Sequence, residues 1–265
     1  MRLAIAFAVL AASAFGQECP DPSKCAVNVR ADQLKWQKVF PDLGPGGPEI
    51  ATLRADPTTG ATQLMLRAID AFYVPWHWHT GNEMHAILAG TFTAECEGKI
   101  AELPEGSFNW IPARVLHRAW LSEGCMLFIS VDAAWDLNWV EGPPAGQSGP
   151  KPGDATTFDA KQLRFDGVVV DAIEIEDAPG RAETARSRRI EDAAEIRRVL
   201  AALEPSSVPP SGGENRWIVR VHAGKGGLLH VVWVFDYGEW GYGGRTRGTS
   251  RELSELLPAL LEQEN

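Results

Sequence analysis

The sequence predicts a mainly β protein in two parts, an antiparallel sandwich or barrel followed by a small α+β unit. Three observations predict it: short β-like runs spaced by turn signals before residue 141, a Gly/Pro-dominated break after them, and helical periodicity that appears only beyond that break. In the first part, Thr62 to Ile69, Glu83 to Ala89, Thr91 to Cys96, Phe108 to Ile111 and Met126 to Val131 read as strands. The break, EGPPAGQSGPKPGDA, opens a linker over 141–157. Beyond it, Val168 to Ile175 reads as a strand, and Ile196, Val199, Leu200 and Leu203 recur at helical spacing before Pro205. Trp217 to His222 and Leu228 to Phe235 flank the turn AGKGG as a hairpin. A last helix carries Leu253, Leu256, Leu257, Leu260 and Leu261 on one stripe, with Thr249 and Glu252 as a capping box and Pro258 as a kink. The expected division is therefore 17–140, a linker, and 158–265 in the order β-α-β-β-α.

Composition narrows the function classes. The 265 residues carry 25 basic and 35 acidic side chains, a net charge of −10, with no segregated basic run. Such a chain repels a phosphate backbone, so nucleic acid is not an expected partner.

Residues 1–16 stand apart from the rest. Arg2 is the only charge in MRLAIAFAVLAASAFG, an apolar run follows it, and small residues precede Gln17. This is the pattern of a secretory signal peptide cleaved before Gln17, the alternative being an uncleaved anchor; the run is short for a membrane span of about 20 residues. The expected location is secreted or periplasmic, with no membrane span after cleavage. An oxidising compartment gives the four cysteines a disulfide reading. Cys19 and Cys25, in ECPDPSKC, form the expected pair, and Cys96 and Cys125 are either a second bridge or two buried thiols.

The residues that could perform chemistry cluster before the break. His77 and His79, two apart in PWHWHTGNEMH, project from one face of a strand, and Glu83 follows a short polar turn. His117 adds an imidazole from GSFNWIPARVLHRAW. Three imidazoles and a carboxylate suit a divalent first-row metal with positions left for solvent or substrate. An HxH pair alone arises by chance about 0.14 times in such a chain, and an acid at a fixed offset lowers that to about 0.02, so the fuller spacing carries the signal.

That spacing is His77-x-His79-xxx-Glu83-xxxxxx-Gly90 and Gly106-xxxxx-Pro112-xxxx-His117. It resembles the two motifs of the cupin superfamily, and the likeness to small secreted cupins extends over about residues 35–142. The resemblance implies a jelly-roll type β-barrel with one divalent ion, Fe, Mn, Zn, Ni or Cu, held inside by residues matching His77, His79, Glu83 and His117. Ala71, Arg114 and Leu121 depart from the pattern, which usually has Gly, a loop Gly and Asn there; a different loop shape is expected at Arg114.

Other residues admit two readings. His85 shares strand parity with Glu83 and is either a proton carrier near the metal, with Glu83 as proton acceptor, or a hydrogen-bonded core histidine. Arg114 and Arg118 bracket His117 and either hold a substrate carboxylate or are surface arginines. Trp76 and Trp78 alternate with the histidines and are expected on the outer sheet face; left exposed together they would favour a homodimer. In the second part, GGRTRGTS at 243–250 has Gly at the two phosphate-loop positions but Thr249 in place of Lys, so a glycine turn is expected, with anion binding by Arg245 and Arg247 as the lesser reading. His222 and His230 lack a partner spacing and read as structural.

Two functions follow. One is a secreted metal-dependent enzyme acting on a small oxygen-bearing substrate, with oxygenase-type oxidoreductase chemistry implied by the resemblance and Lewis-acid isomerase or lyase chemistry beside it. The other is a non-catalytic cupin that captures a small ligand or metal while the α+β domain engages a partner. A regulatory sensor conflicts with export.

Overall fold

Period-2 burial sets the faces of the strands. Strand β5 (Glu83–Ala89) buries Glu83, His85 and Ile87 and leaves Met84, Ala86 and Leu88 further out, as a strand with one face on a core must. The computed structural model describes residues 26–96, 99–140, 142–146, 148–152, 158–159, 164–165, 168–179, 185–203, 215–236, 238–242 and 245–263. The expected signal segment 1–16 and the Cys19–Cys25 pair lie outside the described residues, as do Gly243 and Gly244. The chain divides into two compact units, one of Met1–Ala94, Ala101–Arg114 and Ala119–Gly149, the other of Glu95–Ile100, Val115–Arg118 and Pro150–Asn265.

The protein is mainly β. Before Gly149 the strands are β1 (Gln37–Lys38), β2 (Glu49–Ala55), β3 (Thr62–Arg67), β4 (Phe72–Trp78), β5, β6 (Thr91–Cys96), β7 (Lys99–Pro104), β8 (Phe108–Ile111), β9 (His117–Leu121), β10 (Met126–Val131) and β11 (Asn138–Trp139). They form two sheets, in the orders β1-β2-β3-β10-β5-β8 and β11-β4-β9-β6-β7. The two-sheet arrangement agrees with a jelly-roll, and Leu64, Phe72, Ile87, Phe92, Leu121 and Ile129 fill its core. Four of the five strands read from sequence coincide with the observed bounds, and the fifth ends at Arg67. Strand β7 escaped notice because its pattern, KIAELP, is exposed along almost its whole length and carries no apolar alternation.

Gly90 is the corner between the sheets. It joins β5 in one sheet to β6 in the other at φ +71°, and a Cβ there would lie 2.7 Å from Ser122 Oγ and 2.9 Å from Cys125 Cα. Only glycine allows both the left-handed turn and the close approach. Cys125 is a buried free thiol pushed up to about 11 by burial, so the Cys96–Cys125 bridge considered above is not formed. Trp76 and Trp78 are buried as well. The exposed tryptophan pair that would have favoured a homodimer is therefore not there. Among the described residues of these two sheets, the exposed aromatic side chains are Phe108 and Trp110, on edge strand β8.

The second unit contains the expected strand-helix-hairpin-helix series as β14 (Val168–Asp177), α1 (Ala193–Ala202), β16 (Asn215–Ala223), β17 (Gly227–Phe235) and α2 (Arg251–Leu261). Further strands join the sheet: β12 (Phe158–Asp159), β13 (Arg164–Phe165), β15 (Ser187–Ile190), β18 (Glu239–Tyr242) and β19 (Arg245–Thr249), in the order β12-β13-β14-β16-β17-β18-β19 with β15 on β14. Asp192 caps α1 by accepting from Ala194 N and Glu195 N at 2.9 Å, and Ile196, Val199 and Leu200 are buried on its inner stripe.

One expectation changes here, at the start of the last helix. The segment from Arg245 is a strand paired antiparallel to β18 and does not form a phosphate-binding loop, while Gly243 and Gly244 of the expected turn lie outside the described residues. Thr249 is paired with Glu239 in that ladder, and Ser250 caps α2 in its place, accepting from Leu253 N at 3.4 Å. A residue whose backbone is consumed by a strand cannot serve as the entry to a helix.

Replacing Gly90 with Ala is expected to cost about 2 kcal/mol, from left-handed strain and overpacking together. Urea unfolding of wild type and variant measures it, and equal midpoints would contradict the corner assignment.

Candidate metal centre

Three imidazoles converge inside the first sheets. His77 sits near the end of β4, His79 one residue past it, and His117 opens β9; one ligand atom from each lies within 4.8 Å of the others, and all three residues are buried. Backbone carbonyls orient them. Nδ1 of His77 bonds Pro75 O at 2.7 Å, Nδ1 of His117 bonds Val115 O at 3.0 Å, and Nδ1 of His79 bonds Asp136 O. A carbonyl only accepts, so each Nδ1 carries the proton and donates, and Nε2 is the nitrogen turned to the common centre.

Glu83 stands beside this trio. Its Oε2 lies 2.9 Å from His79 Nε2 and 3.3 Å from His85 Nε2, while its Oε1 accepts from Trp135 Nε1 at 3.0 Å. His85 faces the same interior, as parity requires, and its Nδ1 meets Asn109 Oδ1 at 3.1 Å. So His85 holds the carboxylate that the sequence placed on the metal.

The electrostatics follow from this geometry. Burial pushes the Glu83 carboxyl up, but the charges and hydrogen bonds of His79 and His85 outweigh it and hold the group well below the ordinary range. Burial pushes the His79 imidazole down, and Glu83 with Asp136 reverses this to a net rise.

Arg114 and Arg118 separate. Arg118 is buried with Nε and Nη2 both 2.9 Å from Glu95 Oε2, so Glu95 engages the guanidinium that sequence offered to a substrate. Arg114 is exposed, with its guanidinium 5.0 Å from the ring centre of Trp78. It takes φ 65°, a left-handed conformation that favours the glycine the motif usually has at this position. Strain of about 1–2 kcal/mol is offset by the cation–π contact, about 0.5–1 kcal/mol, and by Arg114 N donating to His79 O at 2.9 Å.

Residues 25–134 match the family model of the ChrR cupin-like domain. This segment is a cupin domain. No curated protein matches the chain. Among solved structures the chain is similar to KdgF from Halomonas sp., at 19% identity over 40% of this chain and 92% of that one, with a TM-score of 0.35. It is similar to an RmlC-like cupin from Shewanella frigidimarina at 18% identity, 40% and 89% coverage and a TM-score of 0.35. An acetylacetone dioxygenase from Acinetobacter johnsonii gives 14% identity, 44% and 78% coverage and a TM-score of 0.36. At these values the likenesses identify no reaction.

Sequence reasoning missed Trp135, Asp136 and Asn109. Trp135 and Asp136 lie outside both cupin motifs, Asn109 stands at an unspecified position within the second, and no spacing ties them to the histidines; only the Trp-Asp pair shortly after β10 offered a polar hint.

The His79–Glu83 pair predicts a pH signature in chelator-treated protein. Glu83, lowered, stabilises above about pH 4.3 and loses its effect as pH falls through its depressed value; His79, raised, stabilises below about pH 6.5 and loses its effect as pH rises through its elevated value. The difference in melting temperature between wild type and Glu83→Gln should therefore be largest between about pH 4.3 and 6.5. A difference independent of pH would refute the pairing.

Proposed function

We propose that the cupin domain is a secreted, metal-dependent enzyme acting on a small oxygen-bearing substrate. The observation that carries the reading is the convergence of three buried imidazoles whose Nδ1 atoms are all spent on backbone carbonyls. A donor set of nitrogen atoms with one adjacent carboxylate fits Zn, Cu, Fe or Ni, with Mn also accommodated, and suits Ca or Mg poorly because those ions prefer oxygen. His77, His79 and His117 would hold the ion, with Glu83 beside them. Bound there, a divalent ion supplies Lewis-acid or dioxygen-activating chemistry.

The remaining work belongs to the chain's own groups. Glu83 Oε2, between His79 and His85, is placed to take or return a proton, and His85 is placed to pass it on. Arg114, exposed one hydrogen bond from the His79 carbonyl, is the arginine left to hold a substrate carboxylate. Trp139 against His77 at 5.2 Å and Phe92 against His85 at 4.9 Å keep the imidazoles in apolar surroundings.

Elemental analysis of protein purified from its native compartment should find about one divalent first-row ion per chain, and His79→Ala and His117→Ala should lose it. Full occupancy in both variants would remove the assignment. Oxygen uptake against small phenols, diketones and thiols then separates the two functions: bound redox metal without turnover favours a binding protein.

Export rests on the pattern of residues 1–16. No helix among the described residues is long and apolar enough to cross a membrane. Sequencing the exported protein should find Gln17 at its N-terminus, and a retained Met1 would exclude cleavage.

A further inference from the structure

The turn that separates His79 from Glu83 is gripped from outside. Thr80, Gly81 and Asn82 join the two residues, and the segment following β10 holds this turn by two aspartates. Asp132 accepts from Asn82 N at 2.8 Å and Asn82 Nδ2 at 2.6 Å. Asp136 accepts from Thr80 N at 2.9 Å and Thr80 Oγ1 at 2.6 Å, and its Oδ2 takes a third bond from Asn138 Nδ2 at 2.8 Å. Gly81 makes the approach feasible: a Cβ there would lie 2.7 Å from Asp132 Oδ1, 2.8 Å from Ala133 Cβ and 2.9 Å from Val131 Cγ1.

The same segment reaches both ends of the turn. The Asp136 carbonyl accepts from His79 Nδ1, and the neighbouring Trp135 donates its indole N–H to Glu83 Oε1. The Trp135 ring stacks at 23° on that of His79, 6.4 Å between centres. An indole has one donor and no acceptor, so its bond fixes which carboxylate oxygen it takes. With Oε1 on Trp135, the oxygen directed at His79 and His85 is Oε2.

Resting on the metal reading above, we propose that Trp135 is a positioning residue that makes Glu83 present one oxygen toward the three-imidazole centre. The segment Asp132–Asp136 is the clasp that holds this arrangement. Pinning Oε1 prevents the carboxylate from turning both oxygens to the ion, which leaves room at the centre for a small substrate. The imidazole and the carboxylate are thereby set by one stretch of chain, so a shift of that stretch moves both together.

The test is cobalt(II) titration of the full chain after chelation, followed by visible absorption, for wild type and Trp135→Phe. Loss of a group bonded to a ligand weakens metal binding typically about 10- to 100-fold. The expected result is a loss of that size with a changed cobalt spectrum, because Glu83 is released to bind through both oxygens. Equal affinity and an equal spectrum in the variant overturn the assignment to Trp135. Wild type that takes up no cobalt overturns the metal reading itself and this proposal with it, a distinguishable outcome. Should the variant not fold, nuclear magnetic resonance of the wild type decides. The Trp135 indole N–H is expected to stay protected from solvent exchange when zinc is added, and its release on zinc binding overturns the proposal.

Discussion

An imidazole offers a metal one lone pair, and which nitrogen carries it depends on where the other nitrogen finds a partner. In this protein the partners of His77, His79 and His117 are backbone carbonyls, at Pro75, Asp136 and Val115. Two of these lie two residues upstream on the same strand or its approach, so the local backbone that builds the strand also sets the ring. The third comes from 57 residues away, which makes His79 the ring most dependent on the rest of the fold. The centre exists because these three bonds point the remaining nitrogens inward.

Charge is then the second constraint. A carboxylate buried at 2% exposure needs compensation, and Glu83 has an imidazole on either side of Oε2 and an indole on Oε1. Such a network is stable when each member is satisfied and costly when one is removed. His85, through Asn109, ties it to edge strand β8. Glu83 is thus a carboxylate whose two oxygens are held by its own supports at the edge of the centre.

The cupin domain and the following unit differ in how well sequence forecasts them. Strands such as Thr91–Cys96 and Met126–Val131 were readable because they alternate apolar and polar residues between turn signals. In the second unit, β15 and β19 have the sequences SRRI and RTRGT, where arginine interrupts any alternation, and their pairing comes from neighbours β14 and β18. Propensity is a weak guide when a strand is completed by its partner.

The amino-acid order alone determined the mainly β class, the cupin motifs and the three histidines, because motif spacing and period-2 alternation are local properties that a linear chain displays directly. Tertiary structure decided what those residues do. It drew Arg118 into a buried pair with Glu95, gave Arg114 the turn of a missing glycine, and brought Trp135 and Asp136 to Glu83 and His79 across more than fifty positions. Hydrogen-bond partners chosen by folding carry no periodic trace in sequence, since distance along the chain bears no relation to distance in space once two sheets have closed on one core.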